Sequence, residues 1–74
     1  MGRLPGINAR KAIQALKRAG FVEDGQRGSH LYFWHEEKRL ITSVPVHPGD
    51  IKRSLLKQII KQAGLSEEEF RKLL

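Results

Sequence analysis

The chain contains no cysteine, which excludes disulfide bonds, thiolate metal sites and a cysteine nucleophile. It also lacks any apolar run approaching the roughly 18 residues of a membrane span, and its N-terminal stretch lacks the apolar core of a signal peptide. We therefore expect a cytoplasmic protein with no membrane partner. Its chemistry must come from histidine, carboxylate, hydroxyl, lysine or arginine side chains.

Acidic residues are scarce. Eight Asp and Glu stand against fourteen Lys and Arg, so the 74 residues carry a formal charge of +6. A surplus of this sign attracts polyanions, above all nucleic acid, although many small basic proteins bind nucleic acid only non-specifically or not at all. The short chain predicts a single domain over residues 1–74 with a small core.

The first regular pattern predicts an amphipathic helix between an N-cap at Asn8 and a left-handed stop at Gly20. Apolar residues recur within it at three- and four-residue steps. They are Ala9, Ala12, Ile13, Leu16 and Ala19. The charged residues on its other faces are all basic: Arg10, Lys11, Lys17 and Arg18.

Three short strands are predicted next. Phe21 and Val22 form the first, ahead of the turn-rich segment 23–29; the runs HLYFWH and RLITSVPV, separated by EEK, form a hairpin. Alternation puts His30, Tyr32 and Trp34 on one side of the sheet, which we call the open face. The other side carries the apolar residues Leu31, Phe33, Val44 and Val46. Pro45 favours a sheet edge or a strand end.

A second helix is predicted over residues 51–63, with basic residues on its outer side, and Gly64 ends it. Ser66 and Glu69 then have the spacing of a capping box for a short last helix. The order predicts an α+β fold: a three-stranded antiparallel sheet with helices on one face, α-β-β-β-α.

His30 is the first candidate for catalysis. Imidazole titrates near neutrality, so one ring can take a proton from an attacking RNA 2′-hydroxyl and deliver one to a departing 5′-oxygen. The small Gly28 and Ser29 leave room for RNA to approach. The alternative is that His30 is simply an exposed strand residue.

His47 is expected within about two cross-strand positions of His30, where the pair could divide the acid and base roles. The alternative is a loop residue beside the Pro-Gly turn.

The third histidine, His35, points to the opposite face from His30, so we predict no metal site. Tyr32 and Trp34 suit base stacking, or they are covered by a partner protein.

Several pieces in this order resemble the HicA-type, YcfA-like mRNA interferase toxins. They are KRAGF at the end of the first helix, the GSH step, the VPVH strand end and IIKQAGLSEEEF near the C-terminus. The resemblance implies a fold similar to the double-stranded RNA-binding domain and an endoribonuclease whose catalytic histidine matches His30. It also implies a cognate HicB-type antitoxin that covers the catalytic surface. Where such toxins commonly have Gly-Thr before Leu in the second helix, this chain has Ser54 and Leu55.

The leading hypothesis is thus an endoribonuclease that cleaves mRNA without metal or cofactor. His30 acts as general acid and base, and Gly28, Ser29, Arg10, Lys11 and Lys57 contact the RNA, with possible support from His47 and Tyr32. A non-catalytic RNA-binding module and a protein-interaction domain of the same fold are the alternatives.

Overall fold

The computed structural model describes residues 4–74 and has the predicted α+β architecture. The elements are α1 (Ala9–Arg18), β1 (Val22–Arg27), β2 (His30–His35), β3 (Leu40–Pro45), α2 (Arg53–Gln62) and α3 (Glu67–Lys72). Residues 1–3 of the domain predicted over 1–74 lie outside the described residues. None of the helices in the described part has the length and apolar character that crossing a membrane requires.

The sheet is antiparallel in the order β1-β2-β3, and α1 and α2 pack against its β3 side. The core combines residues from both helices with Phe33 and Val44 of the sheet and Phe70 of α3, all of them fully buried or nearly so. Because the helices cover one face only, the other face is left to solvent, as predicted.

Strand β1 is longer than the sequence suggests, and the expectation of a turn-rich segment after Val22 is wrong. The strand runs to Arg27 and carries an irregularity between Glu23 and Gln26, where Gly25 has a φ of +97°. A bulge lets this polar stretch remain paired with β2. The strand is at the sheet edge and every residue of it is exposed, so it lacks the apolar alternation that would have revealed it.

The observed ends of other helices and strands differ from the predicted ends by a few residues. Helix α2 begins at Arg53 rather than 51, and Arg39 lies in the β2–β3 turn with a φ of +57°. Val46 was expected on the covered face, but it is 44% exposed because β3 ends at Pro45. That ending agrees with the edge or terminal position predicted for the proline.

The helix ends form as predicted. Asn8 Oδ1 accepts from the Lys11 N–H at 2.9 Å, and Gly20 and Gly64 have positive φ after their helices. In α3, Ser66 and Glu69 form a reciprocal capping box. The Ser66 backbone N–H, followed by its hydroxyl, stabilises the Glu69 carboxylate and lowers the pKa of that group.

Candidate active site

His30 is the first residue of β2 and is exposed, as the alternation predicts. It pairs with Arg27 of β1 on one side and with Pro45 of β3 on the other. His30 therefore lies at the centre of the last cross-strand row of the sheet, where solvent and a large substrate can reach it.

The Gly-Ser step before His30 forms the hairpin turn that positions it. Arg27 pairs with His30, so Gly28 and Ser29 are a two-residue loop. Gly28 has a φ of +58°, while Ser29 has a negative one. This combination fits a type II′ turn, which places glycine at its first central position. The positive φ thus accounts for glycine at position 28, and no described residue beyond its chain neighbours has an atom within 4 Å of where its Cβ would be.

Arg27 is a site residue that the sequence reasoning missed. It pairs directly with His30, and its guanidinium lies over the Tyr32 ring, 5.6 Å from the ring centroid. This end of the open face therefore combines a cation, an imidazole and a phenol. The sequence contained a signal for this pairing. The residues on either side of a two-residue hairpin turn face each other, so an arginine before Gly-Ser and a histidine after it lie side by side.

The far end of the open face is more apolar. Trp34 pairs with Val22 and Ile41, which are 58% and 50% exposed. The indole N–H donates to Glu36 at 2.9 Å, and the Arg39 guanidinium lies 5.9 Å from the ring. The open face thus changes from basic and polar near His30 to apolar near Trp34.

His47 lies in the loop after β3, two residues beyond the Pro45 that pairs with His30. It lines an open groove of about 400 Å³ together with Arg10 and other residues at the start of α1. The structure therefore brings His47 and Arg10 together, and His30 is not among the residues that line this groove.

Some basic residues of the helices are already engaged within the protein, and others are not. Arg18 donates to the Leu73 carbonyl at 2.6 Å, and Arg53 donates to the Leu4 carbonyl at 3.1 Å, so both tie segments of the fold together. The side chains of Arg10 and Lys11 have neither hydrogen bond nor ion pair with any residue in the range 4–74. These two remain available to an outside anion.

Lys57 is separated from the other predicted RNA contacts. Its ammonium lies 4.0 Å from the Glu67 carboxylate, and it lines a different groove that includes Leu40. Leu40 pairs with His35, at the opposite end of β2 from His30. Five residue-to-residue steps along the strand, roughly 17 Å at about 3.4 Å per step, separate those ends.

His35 lies on the helix-covered side, as predicted, and is 8% exposed. Its ring meets Phe21 edge-on at 5.1 Å, and its Nδ1 accepts from the Lys38 N–H at 3.1 Å. In the part of the chain that the structure describes, no three His, Asp or Glu side chains cluster in a way that could hold a metal ion.

The fold and this arrangement define a class: a small basic domain of double-stranded RNA-binding-domain-like architecture, with a histidine exposed on its uncovered sheet face. The family model described as the HicA toxin of bacterial toxin-antitoxin systems matches residues 9–65, well over half of the 74. The chain belongs to this HicA toxin family, whose members act within systems that include an antitoxin. No similar protein was found among curated sequences.

Proposed function

We propose that the protein is an endoribonuclease toxin that cleaves mRNA and that His30 is its catalytic residue. Membership of the HicA toxin family supports the toxin role. The observation that carries the catalytic assignment is the position of His30, exposed beside Arg27 in the last row of the open face. Within residues 4–74 the His30 side chain has no hydrogen bond, ion pair or ring contact, whereas the His35 side chain has a hydrogen bond and a ring contact.

The proposed reaction is an attack of a 2′-hydroxyl on the adjacent phosphate. The bond between the 2′-oxygen and phosphorus forms, and the bond between phosphorus and the 5′-oxygen breaks. His30 takes the proton of the 2′-hydroxyl and supplies one to the departing 5′-oxygen. This leaves a 2′,3′-cyclic phosphate and a free 5′-hydroxyl, and no redox change or metal is needed.

Arg27 has the position to stabilise charge during this reaction. Opposed residues in an antiparallel pair have Cβ atoms about 5 Å apart, so a phosphate beside His30 is within reach of the guanidinium. A fixed cation next to a phosphoryl group that gains charge lowers the barrier. Tyr32, under the same guanidinium, holds Arg27 over the face.

The RNA backbone is proposed to continue from the Gly28–Ser29 turn toward the helices. Gly28 and Ser29 are exposed and present little bulk, and Arg10 and Lys11 offer cations on α1 that have no partner within residues 4–74. Lys57 is proposed as a peripheral contact, since its ion pair with Glu67 is exposed and worth little. Phosphate contacts of this kind make binding strongly salt-dependent.

The test of the chemistry uses an RNA substrate with a 2′-deoxy sugar at the cleaved position, in buffer with EDTA. We expect the all-ribose substrate to give a 2′,3′-cyclic phosphate and the deoxy substrate to stay intact. His30→Ala is expected to reduce the rate by about 100-fold to 10,000-fold. Cleavage of the deoxy substrate, or an unchanged rate in the variant, would refute the proposal; duplex RNA binding without any cleavage would favour the non-catalytic module.

A HicB-type antitoxin is proposed to cover the open face. The exposed apolar row formed by Val22, Trp34 and Ile41 supports this, because exposed patches of this kind mark interaction sites. Trp34 is the only tryptophan of the chain. With 5-fluorotryptophan in the toxin, its fluorine resonance should shift when the antitoxin encoded beside it is added; an unchanged resonance in a stable complex would place the antitoxin elsewhere.

A further inference from the structure

We propose that the groove between the start of α1 and the loop after β3 binds a nucleobase of the RNA strand, next to the nucleotide at His30. The inference rests on the nuclease function proposed above. It adds a subsite that would set which base is tolerated beside the cleaved bond. The residues that line the groove include Arg10, Ile13, Gln14, Val46, His47 and Pro48.

The walls of the groove suit the flat face of a base. Ile13 comes from α1, and Val46 and Pro48 come from the loop, so apolar surface lies on both sides. Val46 is among the most exposed large apolar residues of the described chain, at 44%. The volume of about 400 Å³ is within the range of small-molecule sites. The apolar walls of this groove are exposed surface that a stacked base would cover.

Polar groups at the groove fit the edge of a base and a phosphate. Gln14 and His47 carry donors and acceptors of the kind that read base edges in single-stranded RNA. Arg10 adds a cation that is unpaired within residues 4–74. No acidic residue lines the groove, and the nearby Asp50 carboxylate lies against Gly6 instead. The charge therefore favours an anionic strand over an acidic or neutral peptide.

The groove is continuous with the catalytic end of the sheet. The Val46 N–H donates to the Ser29 carbonyl at 2.6 Å, and Pro45, one residue earlier, pairs with His30. The rim formed by Ser29 and Val46 therefore joins the turn before His30 to the groove. A strand that crosses this rim would place one nucleotide at each site.

The binding test uses the wild-type protein and short 2′-O-methyl RNA, whose blocked nucleophile prevents cleavage. In ¹⁵N-labelled protein we expect the amides of Ile13, Val46 and Gly49 to shift, with different affinities for trinucleotides of different base. Shifts confined to the surroundings of His30 and Tyr32 would overturn the groove assignment and leave the nuclease proposal intact. Groove shifts that appear with the antitoxin but with none of the RNAs would also overturn it.

Uncharged substitutions distinguish RNA binding in the groove from non-specific attraction of RNA to the basic protein. Val46→Asn removes an apolar wall without adding charge and should weaken trinucleotide binding about tenfold. Gln14→Ala should weaken binding and flatten the preference between bases. Gln58→Ala is the matched control, because Gln58 is also an exposed helical glutamine but lies in α2, outside this groove. Equal effects of Gln14→Ala and Gln58→Ala would contradict the proposal.

The KM and kcat of a His47→Ala variant show whether His47 binds the base or takes part in catalysis. As a groove residue it should act on binding, so His47→Ala should raise KM and leave kcat and its pH profile nearly unchanged. A fall in kcat with the loss of one limb of the pH profile would mean that His47 shares the acid–base chemistry with His30. That result would remove His47 from the base-binding site.

Discussion

His30 and His35 are the first and last residues of the same strand, yet their surroundings are opposite. His35 is enclosed by Phe21 and the β2–β3 turn, and its ring accepts a hydrogen bond from that turn. His30 is exposed, follows a two-residue turn, and has only Arg27 and Pro45 beside it in the sheet. One end of β2 therefore contributes to stability, and the other is free for chemistry.

The glycines near the two ends of β2 also differ in how much space surrounds them. Gly20 and Gly28 both have positive φ, but a Cβ on Gly20 would lie 2.9 Å from His35 Nε2, while a Cβ on Gly28 would have none of the other described residues within 4 Å. Crowding at the His35 end and open space at the His30 end follow from the same sheet, because the helices cover only one face. Stability and activity should then be separable by mutation along one strand.

The largest effect on stability is expected for His35→Ala. The change leaves a cavity against Phe21 and removes the acceptor of the Lys38 N–H, which together should cost about 2 to 4 kcal/mol. Urea unfolding measures this, and His35→Asn should recover part of the loss if its amide oxygen caps the same turn. His30→Ala is expected to stay within about 0.5 kcal/mol of wild type. A loss for His35→Ala no greater than that would show that the His35 end of β2 does not contribute more to stability.

Gly20→Ala should come next. The new methyl group meets the His35 ring and the backbone is held at a φ of +99°, so we expect a loss of about 2 kcal/mol or more. The same change in a His35→Ala background should cost less, because the clashing ring is gone. Equal costs in both backgrounds, measured by thermal unfolding, would show that the backbone alone is responsible.

Gly28→Ala isolates the backbone contribution. The φ of +58° disfavours alanine, but no atom lies near the added methyl group, so the loss should be about 1 kcal/mol. Cleavage should fall only as far as the turn shifts His30. If the variant were as destabilised as Gly20→Ala, the open surroundings of the His30 turn would be disproved.

The smallest effect concerns the capping box at the start of α3. The pKa of Glu69 is lowered in the folded protein by Ser66, so the stability it contributes is present above the ordinary value of 4.5 and is lost as the pH falls through the lower folded value. Glu69→Gln keeps an acceptor without a titration, and its stability should vary less between pH 5 and roughly pH 3. If wild type and Glu69→Gln lost stability identically as the pH falls, the titration of Glu69 would not contribute to the acid sensitivity of the fold.

The sequence predicted the element order because two amphipathic helices and a strongly alternating β2 are unambiguous patterns. It missed most of β1, since an exposed edge strand with a glycine bulge has no apolar periodicity. At the site, alternation correctly placed His30 on the open face. The role of Arg27 depends on register, and the groove depends on how α1 meets the loop after β3, which local patterns do not encode.

The most direct test measures cleavage and stability together in His30→Ala and His35→Ala, with an RNA substrate and EDTA. We predict that His30→Ala keeps the wild-type unfolding free energy and loses cleavage. His35→Ala should lose stability but, at a temperature where it is still folded, cleave at close to the wild-type rate. Cleavage retained by folded His30→Ala, or abolished in folded His35→Ala, would contradict the assignment of catalysis to His30.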